Sequence, residues 1–113
     1  MNTFSIYVIE LDKSILHLKK FRLENPKYKE GKPCVYVGYT SKKPEDRFKE
    51  HITGKRNAKG FPLFSRKVNK YGTRLKPRLY EVHNPIKTQE EAMKMEEEKA
   101  RRLRKRGYGV WQK

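Results

Sequence analysis

Residues 34–40 read Cys34-Val35-Tyr36-Val37-Gly38-Tyr39-Thr40, a run of β-branched and aromatic types with apolar side chains at both odd and even positions. Strict alternation would mark a strand with one wet face. Apolar residues at both parities mark a strand covered on both sides, so this segment is predicted to lie in the middle of a sheet. Tyr36 and Gly38 fall on the same side of it. Cys34, the only cysteine in the chain, belongs to the same apolar run. It reads as a small core residue in a reducing compartment, and a disulfide within one chain is excluded.

Toward the N-terminus, Thr3 to Leu11 has neither glycine nor proline and is rich in strand formers, which predicts a second strand. Tyr7 shares a face with Ser5 and Ile9, and Phe4, Ile6 and Val8 share the other. Between the two strands, residues 12–24 space Ile15, Leu16, Leu18 and Phe21 as a short amphipathic helix would, after Asp12 as a cap. Pro26 and Gly31 bound a polar loop.

Toward the C-terminus, Ser41 to Gly54 reads as a helix. Pro44 suits its first turn, Glu45 and Asp46 complement the positive end of the dipole, and Gly54 suits the stop. Phe48 and Ile52 form its expected core edge, and Arg47 and His51 form a neighbouring stripe one turn apart. Phe61, Phe64, Val68 and Tyr71 recur at helical intervals before Gly72, predicting another helix. Leu75 to Val82 is predicted as a third strand, at a sheet edge because of Pro77. A last helix is expected from Thr88, capped with Glu91 three residues on, to about Arg106. Strands mixed with helices over 113 residues predict one α/β (α+β) domain spanning 1–113.

The chain carries 29 Lys plus Arg against 13 Asp plus Glu, a formal net charge of +16. Such a charge repels itself unless a polyanion or salt screens it, and nucleic acid is the partner it favours. No segment approaches the roughly 20 apolar residues of a membrane span, and no helix shows the bulky apolar face of an interfacial anchor. A cytoplasmic protein, nucleoid-associated in a bacterium, is expected. Lys55, Arg56, Lys59, Arg66, Lys67, Lys70, Arg74, Lys76 and Arg78 form a basic middle region, and Arg101, Arg102, Arg104 and Lys105 load the last helix. Phosphate contact is the function that reading assigns to both, against a merely solvated charged face. No cluster of base-reading residues stands out, so shape-selective recognition of branched, nicked or foreign DNA is expected rather than strict sequence specificity. RNA is disfavoured by the lack of an aromatic RNA-binding signature.

One carboxylate is out of place. At about 100° per residue, Glu96 falls in the middle of the buried stripe marked by Ala92, Met93, Ala100 and Leu103. Burying a carboxylate demands a compensating cation. That cation is either a basic side chain in a structural ion pair or a divalent metal ion in a cleft.

The block from Val35 to Thr40, followed by Arg47-Phe48-Lys49-Glu50-His51, closely resembles the GIY-YIG nuclease family. Its two tyrosine motifs look like Ser5-Ile6-Tyr7 and Tyr36-Val37-Gly38, its Arg-x-x-x-His helix like Arg47 to His51, and its metal-binding glutamate like Glu96 after Ala92. The resemblance implies a small sheet of three antiparallel strands flanked by helices and phosphodiester hydrolysis of DNA assisted by Mg²⁺ or Mn²⁺. It also implies a site of Tyr7, Tyr36, Arg47, His51 and Glu96. Arg47 would clamp the scissile phosphate, Glu96 would hold the metal, and either tyrosine would take the proton of the attacking water, with His51 assisting. Two departures stand out. Ser5 replaces the first glycine, and the spacer of 28 residues from Val8 to Val35 is longer than the family commonly has, implying an insertion at about 12–32. Trp111-Gln112 stands where many members carry an asparagine, so that asparagine's role is not carried over. A noncatalytic nucleic-acid-binding module on the same scaffold is the alternative reading. A homodimer or a separate targeting partner is compatible with either.

Overall fold

The computed structural model describes residues 3–112. Four strands, β1 (Ser5–Leu11), β2 (Cys34–Thr40), β3 (Gly72–Leu75) and β4 (Gly109–Gln112), form one sheet in the order β3-β1-β2-β4. β1 pairs antiparallel with both β2 and β3, whereas β4 runs parallel to β2. The molecule is therefore α+β with a mixed sheet, and the expectation of three antiparallel strands is corrected by β4. That strand is only four residues long, too short to show an alternating pattern, and it forms because β2 offers it a free hydrogen-bonding edge. β2 thus has a strand on each hydrogen-bonding edge and lies inside the sheet, as its apolar run predicts.

Four helices flank the sheet: α1 (Lys19–Glu24), α2 (Pro44–Thr53), α3 (Arg66–Tyr71) and α4 (Gln89–Lys105). α4 packs along β1, β2 and β4, α1 rests on β4, and α2 and α3 pair with each other against β1 and β3. Ile6, Val8, Val35 and Val37 are fully buried between these layers, with Cys34, Phe21 and Leu103. Helix ends follow their local chemistry. Pro44 opens α2, and Gly54 closes it in the left-handed region at φ 72°. The Thr88 hydroxyl accepts from the Glu91 N–H at the start of α4.

Residues 12–32 hold a 3₁₀ turn (Lys13–His17), α1 and a loop, rather than one continuous helix over 12–24. The first turn starts where the Asp12 carboxylate accepts from the Ser14 N–H.

Two further expectations are corrected. The helix predicted over 61–71 is confined to Arg66–Tyr71. Gly60, at φ 84°, and Asn57, whose side chain accepts from the Lys59 and Phe61 N–H groups, hold a tight loop that leaves Phe61 exposed. The Ser65 hydroxyl then caps α3 by accepting from Val68 N–H. The strand predicted over 75–82 instead precedes Pro77 and ends at Leu75. Proline cannot donate to a ladder, so the chain continues as two 3₁₀ turns, Pro77–Leu79 and Glu81–His83, with Val82 in solvent. β3 does lie at an edge of the sheet, as expected. No described helix is long and apolar enough to cross a membrane.

Candidate active site

In the antiparallel register of β1 and β2, Tyr7 stands directly opposite Gly38, and Ile9 opposite Tyr36. Both tyrosines therefore project from the same face, their ring centroids 6.1 Å apart. Position 38 has to be glycine for this to work. A Cβ there would sit 2.6 Å from the Tyr7 hydroxyl oxygen and 3.0 Å from the Tyr36 ring, well inside contact distance. The tyrosine before this glycine and the tyrosine opposite it converge because nothing separates them.

His51 reaches this pair from α2. It is fully buried, so it, rather than the exposed Ile52, joins partly buried Phe48 on the core edge of the helix. Its Nε2 lies 3.0 Å from the Tyr7 hydroxyl, and the Ser65 backbone N–H donates to its Nδ1 at 2.8 Å. A backbone amide can only donate, so Nδ1 is the acceptor nitrogen and the neutral ring carries its proton on Nε2. Nε2–H therefore donates to the Tyr7 oxygen, leaving the Tyr7 O–H to point elsewhere. The Asn69 amide, donating to the His51 carbonyl at 3.0 Å, ties α3 to this end of α2.

Arg47, one turn before His51, is partly buried. Its Nη1 donates to Glu50 Oε1 at 3.0 Å and to the Leu63 carbonyl at 2.7 Å. Glu50 also pairs with Lys42 and with Lys55, so one carboxylate gathers three cations at the rim of the site. Burial alone would raise the Glu50 pKa, but hydrogen bonds from Lys42, Lys55 and Arg47 overcome it and bring the value down to about 2. The carboxylate is ionised throughout the ordinary pH range.

The two phenols feel opposite influences. Burial pushes Tyr7 far above its ordinary value and the neighbouring Tyr36 adds to that, while Arg47 pulls it down. Tyr36 is also raised, first by burial and then by the charge of Glu96, and it is lowered by a hydrogen bond from Tyr7 and by Arg47. Together with the His51 tautomer this defines one direction of donation. Ser65 N–H donates to His51 and His51 to Tyr7, which leaves the Tyr7 O–H free to turn toward the neighbouring Tyr36 ring.

Glu96 is buried on α4 with Ala92, Ala100 and Leu103, as the helical periodicity predicts, although Met93 is exposed rather than part of that stripe. The large cavity, 850 Å³, is lined by Tyr36, Arg47, His51, Thr40, Trp111 and Gln112 among others. Glu96 lines an adjoining pocket of 240 Å³ with Glu97, Tyr39 and Gln112. Tyr7, Tyr36 and His51 thus meet directly, and Arg47 lines the same cavity as Tyr36 and His51. Glu96 lines a pocket that shares Gln112 with this cavity, and its charge acts on Tyr36. Carboxylate, amide and phenol oxygens are hard donors that fit Mg²⁺ or Mn²⁺, which commonly take one or two carboxylates and fill the remaining positions with water and phosphate oxygen.

The basic residues divide by location. Lys55, on Glu50, and Lys67, whose ammonium lies over the Trp111 ring, flank the large cavity. Arg56 reaches the Gly60 carbonyl and covers Phe64, and Lys70 lies over Tyr71. Lys59 and Arg66 are exposed and Lys76 partly so, while exposed Arg74 pairs with Glu10 at the β3 edge. On α4, Arg101, Arg104 and Lys105 line a separate pocket against residues 24–28, and Arg102 pairs with Glu98. Arg104 has a structural task. Its guanidinium donates to Asn25, Gln112 and the Val110 carbonyl, bracing β4. The sequence reading assigned no role to Gly38, Glu50, Ser65, Trp111 or Gln112. Two of them leave a signal there: Gly38 in its shared strand face with Tyr36, and Glu50 three residues after Arg47, a spacing that places the two on neighbouring turns.

No family of known proteins, no curated protein and no solved structure matches the chain.

Proposed function

We propose that the chain is a metal-dependent endonuclease that hydrolyses phosphodiester bonds in DNA. The observation that carries this reading is a phenol, an arginine and a histidine of defined tautomer lining one cavity, with a second phenol hydrogen-bonded to that histidine, in a strongly basic protein. A phosphodiester repels nucleophiles, and its transition state gathers charge on the nonbridging and leaving oxygens. Arg47 offers planar donors to the nonbridging oxygens.

Tyr36 lines the cavity and Tyr7 does not, so Tyr36 is the better placed of the two phenols to act as base. Its phenolate takes a proton from water as the water oxygen bonds to phosphorus and the bond to the 3′ oxygen breaks. The Tyr7 O–H, itself receiving the His51 Nε2–H, stabilises the negative phenolate oxygen. Held by Glu96, Mg²⁺ or Mn²⁺ would stabilise the leaving oxygen as a Lewis acid and offset the carboxylate charge that raises Tyr36.

The test is cleavage of supercoiled and branched DNA by the purified protein with and without Mg²⁺ or Mn²⁺, beside Glu96→Ala and Arg47→Ala. Metal-dependent cutting that both substitutions abolish is expected. Undiminished cutting by both would overturn the site. Salt-sensitive DNA binding without cleavage under either metal would favour a noncatalytic binding module instead, a reading that the charge of +16 supports.

A further inference from the structure

Trp111 is the only tryptophan in the chain, and it is the register partner of Tyr36 across the parallel β2–β4 pair. Register partners on adjacent strands project to the same face, with the strands about 4.8 Å apart. The indole therefore stands beside the phenol and lines the same cavity as Tyr36 and Arg47. It is only partly buried. Phe21, fully buried, lies nearly parallel to it, 8° between planes at 6.2 Å, and fixes its orientation. The ammonium groups of Lys20 and Lys67 each lie 5.5 Å from the ring centroid.

We infer that Trp111 is a stacking platform for an unpaired nucleobase next to the scissile phosphate, so that the preferred substrate is DNA with a single-stranded nucleotide at the cut. This rests on the nuclease reading and names its substrate class. A partly exposed indole with two lysines close to its ring provides the two things a single-stranded nucleotide needs from a protein, a π face for the base and cations for the flanking phosphates. A base inside a duplex is already stacked on its neighbours and cannot reach the ring without leaving the helix. Lys20 and Lys67 are flexible and give up the ring face to the base while keeping the adjoining phosphates. The ring's position beside Tyr36 puts the stacked nucleotide next to the reacting one.

The test uses the full chain in EDTA, so that binding is read without cutting. Trp111 fluorescence is titrated with a short oligothymidine, with an abasic oligonucleotide of equal phosphate count, and with a blunt duplex. Saturable quenching by oligothymidine and little by the other two is expected. Anisotropy of a labelled oligothymidine should show Trp111→Phe within about 3-fold of wild type and Trp111→Leu weaker by about 5- to 150-fold, the range of one stacked base. Circular dichroism checks that both variants fold.

Equal quenching by the abasic strand, or unchanged affinity in a folded Trp111→Leu protein, overturns the platform. If Trp111→Leu does not fold, the abasic comparison on the wild-type protein decides alone. Cleavage is scored separately. Base-dependent quenching without metal-dependent cutting rejects the nuclease reading and leaves the platform standing, and cutting without base-dependent quenching does the reverse.

Discussion

Gly38 faces Tyr7 across the β1–β2 ladder so closely that a β-carbon on the glycine would lie 2.6 Å from the phenol oxygen. The hydroxyl in question accepts from His51 Nε2–H and stands beside Tyr36, so the bare glycine controls the geometry of the paired phenols. Gly38→Ala must push Tyr7 aside. We expect a loss of about 1–3 kcal/mol in stability from overpacking and a fall in cleavage rate of about 100-fold, the scale of a misplaced proton-transfer group. Urea unfolding and single-turnover cleavage measure the two separately. Full activity in a folded Gly38→Ala protein would show that Tyr7 is not part of the site.

His51→Leu keeps the bulk of a buried side chain but leaves the Ser65 N–H and the Tyr7 hydroxyl without their ring partner. Each buried polar group left unsatisfied costs about 1–3 kcal/mol, and the cleavage rate should fall with stability. The informative contrast is Tyr7→Phe, which removes only a hydroxyl. It should lower the rate at neutral pH by about 10- to 100-fold and move the alkaline rise of the pH–rate profile to higher pH, because Tyr36 loses a hydrogen bond that lowers it. An unshifted profile would contradict the proton path.

Both phenols are held above the ordinary value of 10.0 in the folded protein. Between the unfolded and folded values, the folded state binds more protons than the unfolded one, so stability falls as pH rises. Their contribution is fully present below about pH 10, the unfolded phenol value, and is lost as pH rises beyond it toward the folded values. Denaturant midpoints measured from pH 8 to 11 should drop more steeply for wild type than for a Tyr7→Phe, Tyr36→Phe double variant.

Glu50 behaves in the opposite sense. Its folded pKa of about 2 lies below the ordinary 4.5, so its stabilisation is present above pH 4.5 and disappears as pH falls toward 2. Lys42 and Lys55 are half-exposed, and screening by water limits the effect to about 1 kcal/mol. Glu50→Gln should flatten that acid limb. It also releases cations at the cavity rim, so DNA binding should tighten by a few fold at low salt, measured by anisotropy.

If about six basic side chains meet phosphates on duplex DNA, log affinity should fall against log salt with a slope near −5. Arg104 is expected to matter for stability rather than for this slope, since its guanidinium is engaged with Asn25, Gln112 and Val110. Removing exposed Arg66 or Lys59 should each reduce the slope by about 1.

Much of this arrangement was legible in the chain itself, because strands and helices announce themselves through local periodicity. The central strand around Tyr36, the capped helices begun by Pro44 and Thr88, and the burial of Glu96 all follow from spacing along the sequence and from the cost of exposing apolar area or burying charge. Short elements were not legible. Gly109–Gln112 becomes a strand only because β2 presents unpaired backbone groups to it, and Phe61 and Phe64 keep helical spacing while a glycine turn holds them outside any helix. The influence of Glu96 on Tyr36, the Ser65 amide that sets the His51 tautomer, and Trp111 beside Tyr36 join residues far apart in the chain. Such contacts depend on strand register and helix packing, which no local pattern encodes, so the residue types came from the sequence and their chemistry only from the fold.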